Sequence, residues 1–290
     1  MRRAAAPANR QIRLLLVLAA LLNCTWILAI WLDPQVLHHD RTFLSDLAAN
    51  TRPTGYLFRL ADAMVGVSVL LAGILLITII RTSQTAGNYL KSMAAVDGDQ
   101  AQAAYENWLA QPQAQKHCQD VELGAYLKGA KLAAGGLIAF GVGTIGAAFW
   151  PLSCTVALDQ GCRRADLDLS LPFTDFMHAG TSAIAQIGMF VALAGLLWGF
   201  KELGRFQQVV TVLTLLGIIW ASITSVFPQV PMGYSQIVGA LMWSLLLVVY
   251  PYPLLTKARA HHRRPQGEAG SQGLVGDLES QRPQGEAQNG

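Results

Sequence analysis

Residues 57–80 read LFRLADAMVGVSVLLAGILLITII. After Asp62 the run holds no charge and no proline, and a helix crossing a bilayer core needs about 20 consecutive apolar residues because its backbone groups must be satisfied within the segment. This stretch therefore reads as a membrane-spanning helix. Five further runs have the same character, at 14–32, 132–150, 179–200, 209–227 and 237–255. Arg59 and Asp62 are the only formal charges within the six. The expected fold is all-α, a polytopic membrane protein built as a six-transmembrane-helix bundle.

The chain carries 21 basic and 18 acidic residues in 290, 13% charged, about half of the roughly 25% usual for soluble domains. The mean hydropathy of +0.36 conceals that division between apolar spans and polar connections. The first run follows a basic leader, residues 1–13, but is longer than a usual signal core and has no small-residue cleavage site after it, so it reads as a helix. Lys and Arg gather in that leader, in the loop 81–131, after the fourth span at Lys201 and Arg205, and at the start of the tail, 256–290. With six spans these segments share one side, which places both termini in the cytoplasm and the protein in a cell membrane. The net charge of +3 then reflects topology, and no nucleic acid is expected as a partner.

The cytoplasmic loop 81–131 is rich in helix formers with apolar residues at helical spacing, and reads either as a solvated hairpin or as a docking site for a cytoplasmic protein. The tail is rich in Gly, Gln, Glu, Ser and Pro and repeats RPQGEA at Arg264 and Arg282, so it is expected to be disordered. Cys154 and Cys162 share an outer loop, and a disulfide between them is the expected staple there.

The sequence contains no GxSxG elbow, phosphate-binding glycine loop, HExxH or dinucleotide pattern. Its polar residues gather instead toward the outer face. Arg59 and Asp62 are three residues apart on one helix and are expected to form an ion pair, with a substrate or proton role for Asp62 as the alternative. Asp175 and His178 stand at a helix start, where the carboxylate can orient a neutral imidazole as base or ligand, or else cap the helix. Asp46 joins them as a candidate from the first outer loop. Catalytic candidates are thus His178, Asp175, Asp62 and Asp46. No cofactor is expected; the alternative is zinc held by His38, His39 and His178.

The ordered segments TFLSDLAANTRPTGYLFRLADAMVGVSVLLAGI, GLIAFGVGTIGAAFWP, DFMHAGTSAIAQIGMF, the span ending SVFP and ALMWSLLLVV resemble the bacterial membrane family known as domain of unknown function 998. The resemblance runs over roughly 14–255 and rests on SDL at Ser45 to Leu47, Trp150-Pro151 and His178. It implies a six-helix bundle in a prokaryotic cytoplasmic membrane and brings no activity with it. A remoter similarity, to the membrane hydrolases related to alkaline ceramidases, nominates Ser45, Asp62 and His178, but the further in-membrane histidines of that pattern are missing. The expected role is non-enzymatic, in envelope or lipid homeostasis, with membrane lipids as partners. Two alternatives stay open: an outer-face hydrolase of a lipid or lipid-linked substrate, and a small-solute or proton-coupled transporter using Asp62.

Overall fold

The apolar run of residues 57–80 becomes a helix with two unlike faces. In a computed structural model, which describes residues 2–34, 43–96, 120–155, 158–168, 170, 172–198, 203–226 and 232–250, every described regular element is helical. Helix α1 covers Arg2–Asn23 and is followed by a 3₁₀ turn, Thr25–Leu28, and the short α2, Ala29–Leu32. A second 3₁₀ turn, Leu44–Ala48, leads into α3, Gly55–Val96. Then come α4 (Asp120–Phe149), α5 (Gln160–Leu167), α6 (Phe173–Trp198), α7 (Arg205–Val226) and α8 (Met232–Val249).

On α3, Leu57, Leu60, Met64, Val67, Leu71 and Ile74 are exposed, while Phe58, Ala61, Val65, Val69, Ala72 and Leu76 are buried. Both sets repeat every three or four residues, so the apolar outer face is one that water would penalise and lipid would not. Five described helical stretches are long and apolar enough to cross a membrane: Asn9–Leu32, Gly55–Arg81, Lys128–Phe149, Phe173–Trp198 and Arg205–Ser225. The apolar part of α8, Gly233–Val249, is shorter. The sequence reading began the fourth span at Ala179, whereas α6 starts at Phe173 and takes Asp175 and His178 inside the helix. Helix α3 also continues past Arg81 into the polar connection; at 42 residues it is about 63 Å long at 1.5 Å per residue, far more than the roughly 30 Å of hydrocarbon. Residues 97–119 of the loop, His38 and His39, and the tail 256–290 lie outside the described residues.

The helices pack in the order α6, α4, α3, α1, α8, α7, and the ring closes between α7 and α6 through its sparsest seam. Glycines set the tight contacts. A Cβ on Gly136 would lie 2.6 Å from the Gly188 carbonyl oxygen, and one on Gly143 would lie 2.6 Å from that of Thr181, so α4 and α6 meet backbone to backbone. Gly66 and Gly141 do the same for α3 against α4.

At one end of the ring the connections are tied together. Asn50 N donates to Leu152 O at 2.8 Å, and Leu44 N donates to Gln236 Oε1 of α8 at 2.8 Å. Arg52 pairs with the buried Asp33. Asp159 Oδ1 accepts from Gly161 N (2.8 Å) and Cys162 N (3.3 Å), which caps α5. The disulfide expected from the sequence joins Cys154 to Cys162 across a Cα–Cα distance of 6.0 Å, fastening α5 to the chain that leaves α4.

Candidate functional site

Because the ring is tight on one side and sparse between α6 and α7, it encloses space. A chamber of about 690 Å³ opens beneath the tied loops. Phe43 to Asp46 and Leu152 line its mouth, with Asp175 and His178 of α6 below them. Its deeper wall is formed by Ser182, Gln186 and Met189 of α6, Ile218 and Ser222 of α7, Phe140 of α4 and Trp243 of α8. From Asp175 to Met189 the wall descends about 21 Å along α6, more than half the roughly 30 Å thickness of a bilayer core.

Asp46 is 2% exposed and accepts a hydrogen bond from Phe43 N at 2.8 Å through Oδ2. Burial pushes its carboxyl up to about 7, against the smaller opposing effects of the Phe43 N–H and the Arg52 charge. Asp175 is also buried, and both its oxygens are engaged: Oδ1 accepts from Ser153 N and Oδ2 from Ser153 Oγ, each at 2.7 Å. It therefore anchors the loop after α4 rather than orienting His178. The imidazole is held instead by the end of α4. His178 Nδ1 lies 3.1 Å from Ala147 O and 2.8 Å from Trp150 O. Carbonyls only accept, so Nδ1 carries the proton and donates to carbonyls that the end of α4 leaves free. In the Nδ1–H tautomer Nε2 is the lone-pair nitrogen, and it has no hydrogen-bond partner among the described residues.

The sequence-expected ion pair between Arg59 and Asp62 does not form. Arg59 Nη1 donates to Ala48 O at 3.2 Å and to Asn50 Oδ1 at 2.7 Å. Helical side chains lean toward the N-terminus, and at the first turn of α3 that direction leads to the preceding loop. Asp62 is half-buried, one turn before Gly66 on the stripe facing α4, and is not among the residues lining the chamber. The structure thus brings Asp46, Asp175 and His178 to one cavity, with Ser45, and leaves Asp62 outside it. Among the described residues no group of three His, Cys, Asp or Glu is placed to hold a metal ion, and the zinc alternative depends on His38 and His39, which lie outside them.

Sequence reasoning passed over the deeper polar wall. Gln186 Nε2 donates to Ser222 Oγ at 2.8 Å, joining α6 to α7 across the sparse seam. Trp243 is 2% exposed, packs its ring 5.1 Å from that of Phe140, and has an indole Nε1–H with no partner among the described residues. The available signal was helical spacing of polar residues inside apolar spans: Ser182 with Gln186, and Ser222 with Ser225.

Apolar helices with lipid-compatible outer faces and small residues at their contacts define an all-helical membrane protein. Residues 122–251 match the family described as Protein of unknown function (DUF998). The match contains α4 from its first turn, α5 to α8, Trp150-Pro151 and His178, and stops short of the Ser45 to Leu47 segment. No curated protein and no solved structure matches the chain.

Proposed function

We propose that the chain is a six-span protein of a bacterial cytoplasmic membrane, termini inside, whose outward chamber binds a membrane-dissolved amphiphile in a non-enzymatic role in envelope or lipid homeostasis. The chamber is the observation that carries this reading. Its volume of about 690 Å³ falls within the range of roughly 300–1,000 Å³ typical of small-molecule sites. Apolar walls with a few inward polar groups suit a ligand with an apolar body and one polar head. The distribution of Lys and Arg supports the orientation. As a sixth span, α8 has 18 residues, about 27 Å, close to the hydrocarbon thickness.

Native mass spectrometry of the protein purified in mild detergent tests the reading. A small-molecule adduct is expected on the wild type and is expected to vanish in Ser182→Trp, which fills the chamber. An adduct unchanged by that substitution rejects chamber binding.

One observation favours a second reading, hydrolysis of a lipid-linked substrate. With Nδ1 fixed by two carbonyls, His178 has Nε2 available as a base in the chamber that Ser45 and Asp46 also line. Turnover of a phospholipid or lipid-linked substrate by the purified protein, abolished by His178→Gln in a folded variant, is its expected outcome; no turnover by the wild type rejects it. The transporter reading relied on Asp62, which lies off the chamber lining.

A further inference from the structure

The unsatisfied polar atoms at the chamber mouth are of one kind. They are acceptors. Asp46 engages one oxygen with Phe43 N and keeps the other without a partner among the described residues, and His178 likewise keeps its Nε2, the lone-pair nitrogen of the Nδ1–H tautomer, without one. The second carboxylate there, Asp175, is consumed by Ser153. No Lys or Arg lines the chamber among the described residues. Among the described residues the two arginines closest in the chain to Asp46 are committed elsewhere, Arg52 to Asp33 and Arg59 to Ala48 O and Asn50 Oδ1. At the floor the lining includes the buried Trp243, whose Nε1–H has no partner among the described residues.

We propose that the ligand of this chamber is an amphiphilic organic amine, its ammonium group held between the Asp46 carboxylate and His178 Nε2 and its apolar body lying against Phe140 and Trp243. The proposal rests on the chamber-binding reading above and adds the chemistry of the head group. An ammonium has N–H donors and no acceptor, which complements two free acceptors. A phosphate or carboxylate head has only acceptors and would meet Asp46 and Asp175 with no cation among the described lining residues to offset them. A hydroxyl head satisfies one acceptor without the charge. Burial outweighs the Arg52 charge and holds the Asp46 carboxyl near 7, and an ammonium in contact favours the charged form, so the site is poised to take a cation.

Three probes of one chain length separate head-group charge from simple apolar filling. Octylammonium, octanol and octyl phosphate are titrated into the full-length protein in phosphatidylcholine nanodiscs at pH 8, with tryptophan fluorescence and calorimetry as readouts. Octylammonium is expected to bind saturably and at least about tenfold more tightly than octyl phosphate. Asp46→Asn is expected to weaken octylammonium about tenfold while leaving octanol unchanged, and Ser182→Trp to remove saturable binding of both. Equal or tighter binding of octyl phosphate, or an amine affinity untouched by Asp46→Asn, overturns the amine assignment and leaves chamber binding standing. Absence of saturable binding by every probe, or octanol binding that survives Ser182→Trp, overturns chamber binding and this proposal with it.

Discussion

Replacing Asp46 by Asn should stabilise the protein, and only above a defined pH. The carboxyl is 2% exposed, and burial raises it from 3.8 to about 7. In the unfolded chain it ionises near its ordinary value; in the folded chain it keeps its proton until about pH 7. Between those limits the folded state binds the extra proton, so stability falls as pH rises, and above the folded value the loss is complete. A shift of about three units at 1.36 kcal/mol each makes this roughly 4 kcal/mol. Asn is isosteric, keeps an oxygen to accept from Phe43 N, and carries no charge to bury. Thermal unfolding of both proteins in detergent, followed by circular dichroism from pH 4 to 8.5, should give nearly coincident midpoints at the acid end. The Asn variant should then gain steadily up to about pH 7 and keep its lead. A constant difference across the range, or a variant less stable at pH 8, would refute the claim that the carboxyl is buried without adequate compensation.

Other substitutions probe the remaining supports. Cys154→Ser should abolish the Cys154–Cys162 crosslink, seen by non-reducing thiol alkylation and mass spectrometry, and cost about 2.5 kcal/mol for so short a loop in the chain-entropy description. Gly188→Val places a Cβ 2.8 Å from both Gly136 O and Phe140 Cα, so it should force α4 from α6 and lower the unfolding midpoint by an amount equivalent to about 1–3 kcal/mol or more. Arg52→Met leaves the Asp33 carboxylate buried without its ion-pair partner, and a loss of about 3–5 kcal/mol is expected in the same assay. His178→Ala removes the donor to Ala147 O and Trp150 O and should cost about 1–3 kcal/mol; an unchanged midpoint would show that the imidazole does not hold the end of α4.

The spans were legible because one physical constraint, satisfaction of backbone groups in hydrocarbon, writes itself as an uninterrupted apolar run such as 57–80. The Cys154 to Cys162 staple was legible because both thiols fall in one short loop. Arg59 shows where such reading fails. Helical spacing makes Asp62 a neighbour, but the arginine extends toward the preceding loop, and the position of Ala48 and Asn50 is tertiary information. Asp175 and His178 likewise stand three residues apart, yet each is claimed from another element, by Ser153 and by the carbonyl end of α4. The chamber itself was hidden because it depends on α8 returning to α1, through Asn23 to Ala240 O and Ser244 Oγ, and on the looseness of the α6–α7 seam. Trp243 is unremarkable in sequence until that ring is closed, and Gln186, visible as a polar residue inside an apolar span, finds its partner Ser222 only then.

The most direct test of the account is a cryo-electron microscopy map of the full chain in lipid nanodiscs. It should show non-protein density among α6, α7 and α8, running from Asp46 and His178 down to the indole of Trp243. A map in which side chains fill that volume, or in which the chamber is empty while lipid is resolved around the outer faces of the same helices, would contradict it.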